Sequence, residues 1–314
     1  MTAAMPPDAL LRELEPTVGS LLERHLRASK EWFPHEHVPY SRGRDHEEGH
    51  RWTPADSDLG GYEISDAVRS ALYVNLLTED NLPYYSRDID HLFGRDGAWG
   101  EWVRRWTAEE ARHSMVIYGY IATTRAIDLV ALERGRMAQV SSGQVPAPDN
   151  PQQGFAYVAM QELATRISHR NTGRLLGDPV GYDLMMRVAA DENLHHLFYR
   201  DLASAALELD PSNMVMAIEH EVRTFAMPGL GIPDFDRHAA AIARAGIYDL
   251  LIHHEQILVP VVLRHWAVES LTGLTPEAER ARDQLLNRIE KSGKVARRLA
   301  ERRTDSAPQP ASVS

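Results

Sequence analysis

The sequence predicts an all-α fold, and three observations lead there. Apolar residues recur at helical spacing along most of the chain. No stretch alternates apolar and polar residues long enough to build a sheet. Gly- or Pro-containing turns punctuate the periodic segments. The 314 residues are 43% hydrophobic and 25% charged, as in chains that bury a core. The organisation that follows is a single domain over 1–303 and a disordered polar tail over 304–314.

A first helix is predicted over 8–30, with Leu10, Leu14, Val18, Leu21, Leu22 and Leu26 on one face. Residues 31–60 are rich in Pro, Gly, His and charge and read as irregular. Four long helices follow, over 63–92, 98–130, 153–176 and 180–208, with FGRDGAWG and LLGDPVGY as the turns inside each pair. The stretch LERGRMAQVSSGQVPAPDNPQQ between the pairs is too polar for a core helix and reads as a long crossover. Further helices are predicted over 211–226, 235–251, 254–271 and 275–303.

Composition narrows the chemistry. The chain has no cysteine, which excludes disulfides, thiolate zinc sites and a Cys-held iron–sulfur cluster. Any metal must therefore use the 15 His or the 45 Asp and Glu. A net charge of -11 disfavours nucleic acid and anionic membranes as partners. No apolar run approaches the ~18 residues that span a bilayer, and MTAAMPPDALLRELEPTV has no secretory pattern. A cytoplasmic protein is the expectation.

Two Glu-x-x-His pairs fall within predicted helices, Glu110/His113 and Glu192/His195, a spacing that puts both side chains on one helix face. Such pairs arise by chance, and a third, Glu47/His50, lies in the irregular segment where no helix aligns it. The surrounding order is more specific. Glu79 precedes Glu110 by 31 positions, and Glu162 precedes Glu192 by 30. Four consecutive helices thus carry Glu, Glu-x-x-His, Glu, Glu-x-x-His, the ligand set of ferritin-like carboxylate-bridged dinuclear sites. Four carboxylates and two imidazoles in an apolar bundle need cations to neutralise them. Carboxylate and imidazole donors suit iron or manganese, and redox work favours iron.

The segments TEDNLPYY (78–85), RWTAEEARH (105–113), GFAYVAMQELATRISHRNTGR (154–174) and DENLHH (191–196) resemble those of the acyl-acyl carrier protein desaturases, especially the actinobacterial ones. The resemblance extends over about residues 10–270. It implies a ferritin-like helical bundle with a four-helix di-iron core and additional flanking helices. It also implies two iron ions per chain on Glu79, Glu110, His113, Glu162, Glu192 and His195, the six residues already selected by spacing.

The resemblance further implies O₂-dependent desaturation of a fatty acyl chain on acyl carrier protein. Hydrogen leaves two adjacent methylenes, giving a cis double bond and water, with electrons from a ferredoxin and a homodimeric assembly. It points to Thr165 beside the oxygen-binding face, although a helical Thr can also bond its own backbone. Trp32, in WFPHEHVP, would lie near Asp191, which would orient His113; Trp32 could equally be plain core. Leu92 and Phe155 match the wall of the acyl channel. Arg24, Arg27 and Lys30, spaced three apart at the end of the first helix, are the candidate carrier-protein docking patch. The chain departs from the plant pattern at Ala111 and in the short connection RDIDHLFGRDGAW. Two other classes fit the ligand set: a di-iron hydroxylase or N-oxygenase, and a non-catalytic iron- or carrier-binding protein. A storage subunit would be shorter, since this chain has roughly 110 residues beyond its metal helices.

Overall fold

Three Asn/Asp–Pro pairs start the helices at the centre of the computed structural model, which describes residues 5–227, 229 and 231–305. Asn150 and Asp178 accept the backbone N–H of Gln153 and Val180, and Asp210 caps the next helix through Asn213. In each case a Pro at the first helical position gives up a donor that would have had no partner. The helices they open are α6 (Pro151–Leu176), α7 (Pro179–Leu209) and α8 (Pro211–Thr224). α6 and α7 form the most extensive helix pair in the fold. Positions 151–160 of α6 are all buried, so this helix lies inside the bundle.

Around this pair lie α1 (Pro7–Ala28), α2 (Asp66–Glu79), α3 (Leu82–Phe93), α4 (Gly97–Thr124) and α5 (Leu129–Ser142). α9 (Phe235–Arg244), α10 (Leu250–His253) and α11 (Pro276–Asp305) complete the order, α10 continuing as π-helix over His254–His265. No strand occurs among the described residues, so the all-α expectation holds. One apolar cluster joins α1, α4, α6 and α7 through Leu14, Trp102, Phe155 and Tyr199; a second joins α2, α4 and α7 through Leu72, Ile117 and Leu184.

Several boundaries differ from expectation for identifiable reasons. The helix predicted over 63–92 breaks at Asp80–Asn81, because the ring of Pro83 conflicts with the carbonyl four residues earlier, that of Glu79. The helix predicted over 98–130 stops at Arg125, which is left-handed at φ 52°. The crossover contains α5, a surface helix capped by Asp128 whose only buried positions are Leu132, Gly135 and Gln139. At Gly135 the helix comes so close to the Tyr73 hydroxyl that a Cβ would lie 1.7 Å from it. The helix predicted over 235–251 ends at Arg244, before Gly246 at φ 69°. On α1 the buried position after Leu22 is His25, while Leu26 is exposed. α11 runs through Asp305, past the start of the predicted tail; residues 306–314 lie outside the described residues.

Asp178 joins the second cluster to the irregular segment. It is fully buried, caps α7 through Val180, and accepts from the Tyr120 hydroxyl at 2.9 Å and from Arg42 at 3.0 Å. Asp178→Ala removes the cap and leaves a buried hydroxyl and a guanidinium without their acceptor. It should lower unfolding stability by about 3 kcal/mol, read from urea or thermal melts.

Candidate metal centre

Glu79 is the last residue of α2, Glu110 and His113 lie in mid-α4, Glu162 in mid-α6, and Glu192 and His195 in mid-α7. Each is at most 8% exposed. Their donor atoms form two overlapping groups in which all atoms lie within 4.8 Å: Glu79, Glu110, His113 and Glu192, and Glu110, Glu162, Glu192 and His195. Glu110 and Glu192 belong to both groups and are placed to bridge. The structure thus brings together all six residues selected from the sequence.

The donors face one another in a way hydrogen bonding does not explain. His195 Nδ1 is 2.7 Å from Glu110 Oε1, and His113 Nδ1 is 3.4 Å from both Glu110 and Glu192, yet neither nitrogen has a hydrogen-bond partner. Glu110 Oε1, Glu162 Oε2 and Glu192 Oε1 are likewise buried and unpartnered. Orphaned lone pairs converging on shared points fit cations, and two divalent ions would balance four carboxylates. Burial, with Glu192 and Glu110 close by, pushes the Glu162 carboxyl well above its usual range. Burial also opposes ionisation of Glu79 and Glu192, but the imidazoles of His113 and His169 beside them overcome it and hold both carboxyls low.

Outer residues fix the ligands. Trp32 Nε1 donates to Asp191 Oδ2 at 2.8 Å, and that oxygen lies 3.6 Å from His113 Nε2. Arg112 and Arg187 stack over the Trp32 ring, and both reach Asp191. The Thr165 hydroxyl lies 2.9 Å from Glu192 Oε2 and also 3.0 Å from the backbone carbonyl of Glu162, so the helix-backbone bond weighed for it from the sequence is in reach, and so is a carboxylate of the cluster.

Three participants were not picked out from the sequence. Glu109 accepts from His195 Nε2 at 3.0 Å and from His25 Nε2 at 2.8 Å, and pairs with Arg105. It therefore stands to His195 as Asp191 stands to His113. His169 contacts Glu79 at 2.9 Å, and Trp106 donates to Glu162 at 3.0 Å. His169 follows Glu162 by seven positions, two helical turns on the same face, so periodicity could have found it.

An apolar cavity meets the centre, lined by Leu82, Ile89, Leu92, Tyr157 and Val158 and reaching Glu79, Glu110, Glu162 and Glu192. Phe155 is not in its lining; it stacks on Phe93 and Trp99. A second cavity, of about 100 Å³, lies across Thr78 and Glu79 from the first and is lined by Thr165, Ser168, His169, Phe235, Ile242 and Tyr248. The candidate docking residues sit apart from both. Arg24 pairs with Asp201 at 2.7 Å, Arg27 with Glu23 at 3.5 Å, and Lys30 lies beyond the end of α1, off its helical face. Glu47 and His50 lie in the exposed segment, where His50 bonds Asp56.

Residues 8–314 match the fatty acid desaturase family profile. The chain belongs to this family. The match extends beyond the 10–270 resemblance to include α11. A putative acyl-[acyl-carrier-protein] desaturase, DesA1, of Mycobacterium tuberculosis is 43% identical over 295 residues, covering 91% of this chain and 86% of that protein. The chloroplastic stearoyl-[acyl-carrier-protein] 9-desaturase 6 of Arabidopsis thaliana is 31% identical, over 80% of this chain and 73% of that protein. The X-ray structure of DesA2 from M. tuberculosis superposes with a TM-score of 0.70 at 25% identity, covering 87% of this chain and 99% of that one. That neighbour supports the ferritin-like helical architecture of this desaturase-family chain.

Glu109→Gln keeps a hydrogen-bonding side chain but removes the charge behind His195. Outer partners of this kind set ligand orientation and basicity. The substitution should weaken divalent-metal affinity by about tenfold, measured by competition with a chromophoric chelator.

Proposed function

We propose that this chain is an oxidoreductase that introduces a cis double bond into a fatty acyl chain carried on acyl carrier protein. One observation carries the proposal: an apolar cavity whose inner end is formed by four carboxylates of the candidate metal centre. An acyl chain has no polar handle along its length, so a dry apolar passage beside the metal ligands is what can hold it. The names of the relatives point to the same substrate class.

Glu79, Glu110, His113, Glu162, Glu192 and His195 would hold two iron ions, since oxygen and nitrogen donors without thiolate suit iron. Such a pair would supply O₂ reduction and abstraction of two hydrogens from adjacent methylenes. Leu82, Ile89 and Leu92 exclude water and offer the acyl chain an apolar wall beside the centre. Thr165, reaching Glu192 from the side of the second cavity, orients that bridging carboxylate and offers a proton at its hydroxyl. Asp191 fixes the His113 ring, and Trp32 behind it gives an aromatic path toward the surface. With no cysteine and no G-x-G-x-x-G motif, the chain draws its electrons from a separate ferredoxin-type donor. A cytoplasmic homodimer is the assembly we propose. The exposed Met115 and Tyr118 on α4 and Met137 on α5 give an apolar surface for a second copy.

Mass spectrometry of products from acyl-carrier substrates with a ferredoxin reducing system tests the reaction. Loss of two hydrogens is expected, and gain of one oxygen would mean hydroxylation. The purified chain should hold two iron atoms, and Glu192→Ala should lose at least one; a single zinc with full activity would overturn the assignment. Thr165→Val should keep its iron but desaturate about tenfold more slowly, with O₂ consumed unproductively. Wild-type coupling in that variant would leave Thr165 with only its helix-backbone bond.

A further inference from the structure

The charge on α11 runs against that of the whole chain. Across residues 288–303 seven Lys or Arg face only Glu290 and Glu301, in a protein of net charge -11. Arg288, Lys291, Arg298 and Arg302 follow helical spacing with Gln284 and Val295, so one flank of the helix is basic. Arg288, Lys291 and Arg298 are exposed and take part in no ion pair among the described residues, whereas Lys294 is paired with Glu290.

This flank forms a wall of a groove of about 570 Å³ between α8, the π-helix and α11, to which His253, His254 and the paired Arg223 and Glu219 also contribute. The groove is one side chain away from the centre's second cavity. His253 in the groove accepts at Nδ1 from the Tyr248 hydroxyl at 2.8 Å, and Tyr248 lines the cavity that reaches Thr165, His169 and Glu79. The opposite end of the cavity system has the other sign. Leu92, Asp88 and Pro148, which line the apolar cavity, also line a surface groove holding Asp8, Asp88, Asp90 and Asp149 against Arg87 and Arg95. Arg87 and Arg95 are already paired with Asp88 and Asp90.

We infer that the α11 groove is the docking surface for acyl carrier protein, and that the acyl chain enters past Tyr248 and runs by the metal ligands toward Leu92. This rests on the acyl-carrier reading above. Acyl carrier proteins are acidic, so the basic groove attracts the carrier while the aspartate-rich end repels it. In the patch on α1, Arg24 and Arg27 are already paired with Asp201 and Glu23, which leaves Lys30 as its cation without an ion pair among the described residues.

The test compares wild type with Arg288→Glu/Lys291→Glu and with Arg27→Glu/Lys30→Glu. All four positions are exposed, so folding and iron content should not change. Fluorescence anisotropy of labelled stearoyl-acyl carrier protein at low salt should show the α11 pair weakening binding about tenfold and the α1 pair changing it less than twofold. The apparent KM should rise in parallel at unchanged kcat, and the difference should shrink at about 0.5 M salt. Unchanged affinity in the α11 variant, or no carrier binding by wild type, would overturn the docking surface. Carrier binding that depends on α11 without loss of hydrogen from the acyl chain would preserve the surface and overturn the desaturase reading. Loss of binding confined to the α1 variant would overturn the α11 surface and place the carrier at the C-terminal end of α1.

Discussion

Four carboxylates within a few ångströms of one another inside an apolar bundle are the constraint on which the rest of this structure depends. Left alone they could not stay ionised together; the opposite shifts of Glu162 and Glu192 show the strain, one driven toward its proton and the other held as a charge by neighbouring imidazoles. A pair of divalent cations would relieve it. The outer residues follow from the same requirement. Each candidate ligand histidine turns Nδ1 toward the carboxylates; behind it His195 Nε2 donates to Glu109, and Asp191 lies 3.6 Å from His113 Nε2. Those carboxylates are buried in turn and need cations of their own, and Arg112 lies within reach of both.

The neutralised cluster can then serve as part of a cavity wall. α2 ends at Glu79 because Pro83 forbids its continuation, and this break lets α3 lean away and open the apolar cavity beside the ligand. Thr78 and Glu79 separate that cavity from the one lined by His169 and Ser168. A substrate threading both would pass the donor atoms at the junction, with its apolar end toward Leu92 and its polar attachment toward Tyr248.

The six buried residues that the fold brings together were legible from the sequence because two independent periodicities constrain them. The Glu-x-x-His spacing fixes a helix face, and the 31- and 30-residue separations fix which helices come together. The fold class was legible for a similar reason: long apolar repeats outlast local exceptions. Boundaries were less so. Pro83 and Gly246 break patterns whose apolar periodicity continues through them, and α5 is a helix whose polar faces look like a loop until Gly135 is seen against Tyr73. Glu109 and His25 were hidden because a single buried polar residue in an otherwise ordinary helix has no spacing partner in its own segment; their partners come from α4, α7 and α1.

Ion pairing within the fold changes the charge that the candidate patch on α1 presents. Arg24, Arg27 and Lys30 look like a patch in the sequence because their spacing along the chain is visible, whereas the acid that meets Arg24 is not. Asp201, which meets Arg24, lies on α7, far away in sequence. α11 shows the reverse. Glu290 and Glu301 are visible beside its basic residues and make it read as a mixed, solvated helix. Folding places the unpaired Arg288 and Lys291 on the flank facing the groove and spends Glu290 on Lys294. Net charge along a segment is therefore a poor guide to a docking face; what attracts a partner is the charge left after the fold has made its own pairs.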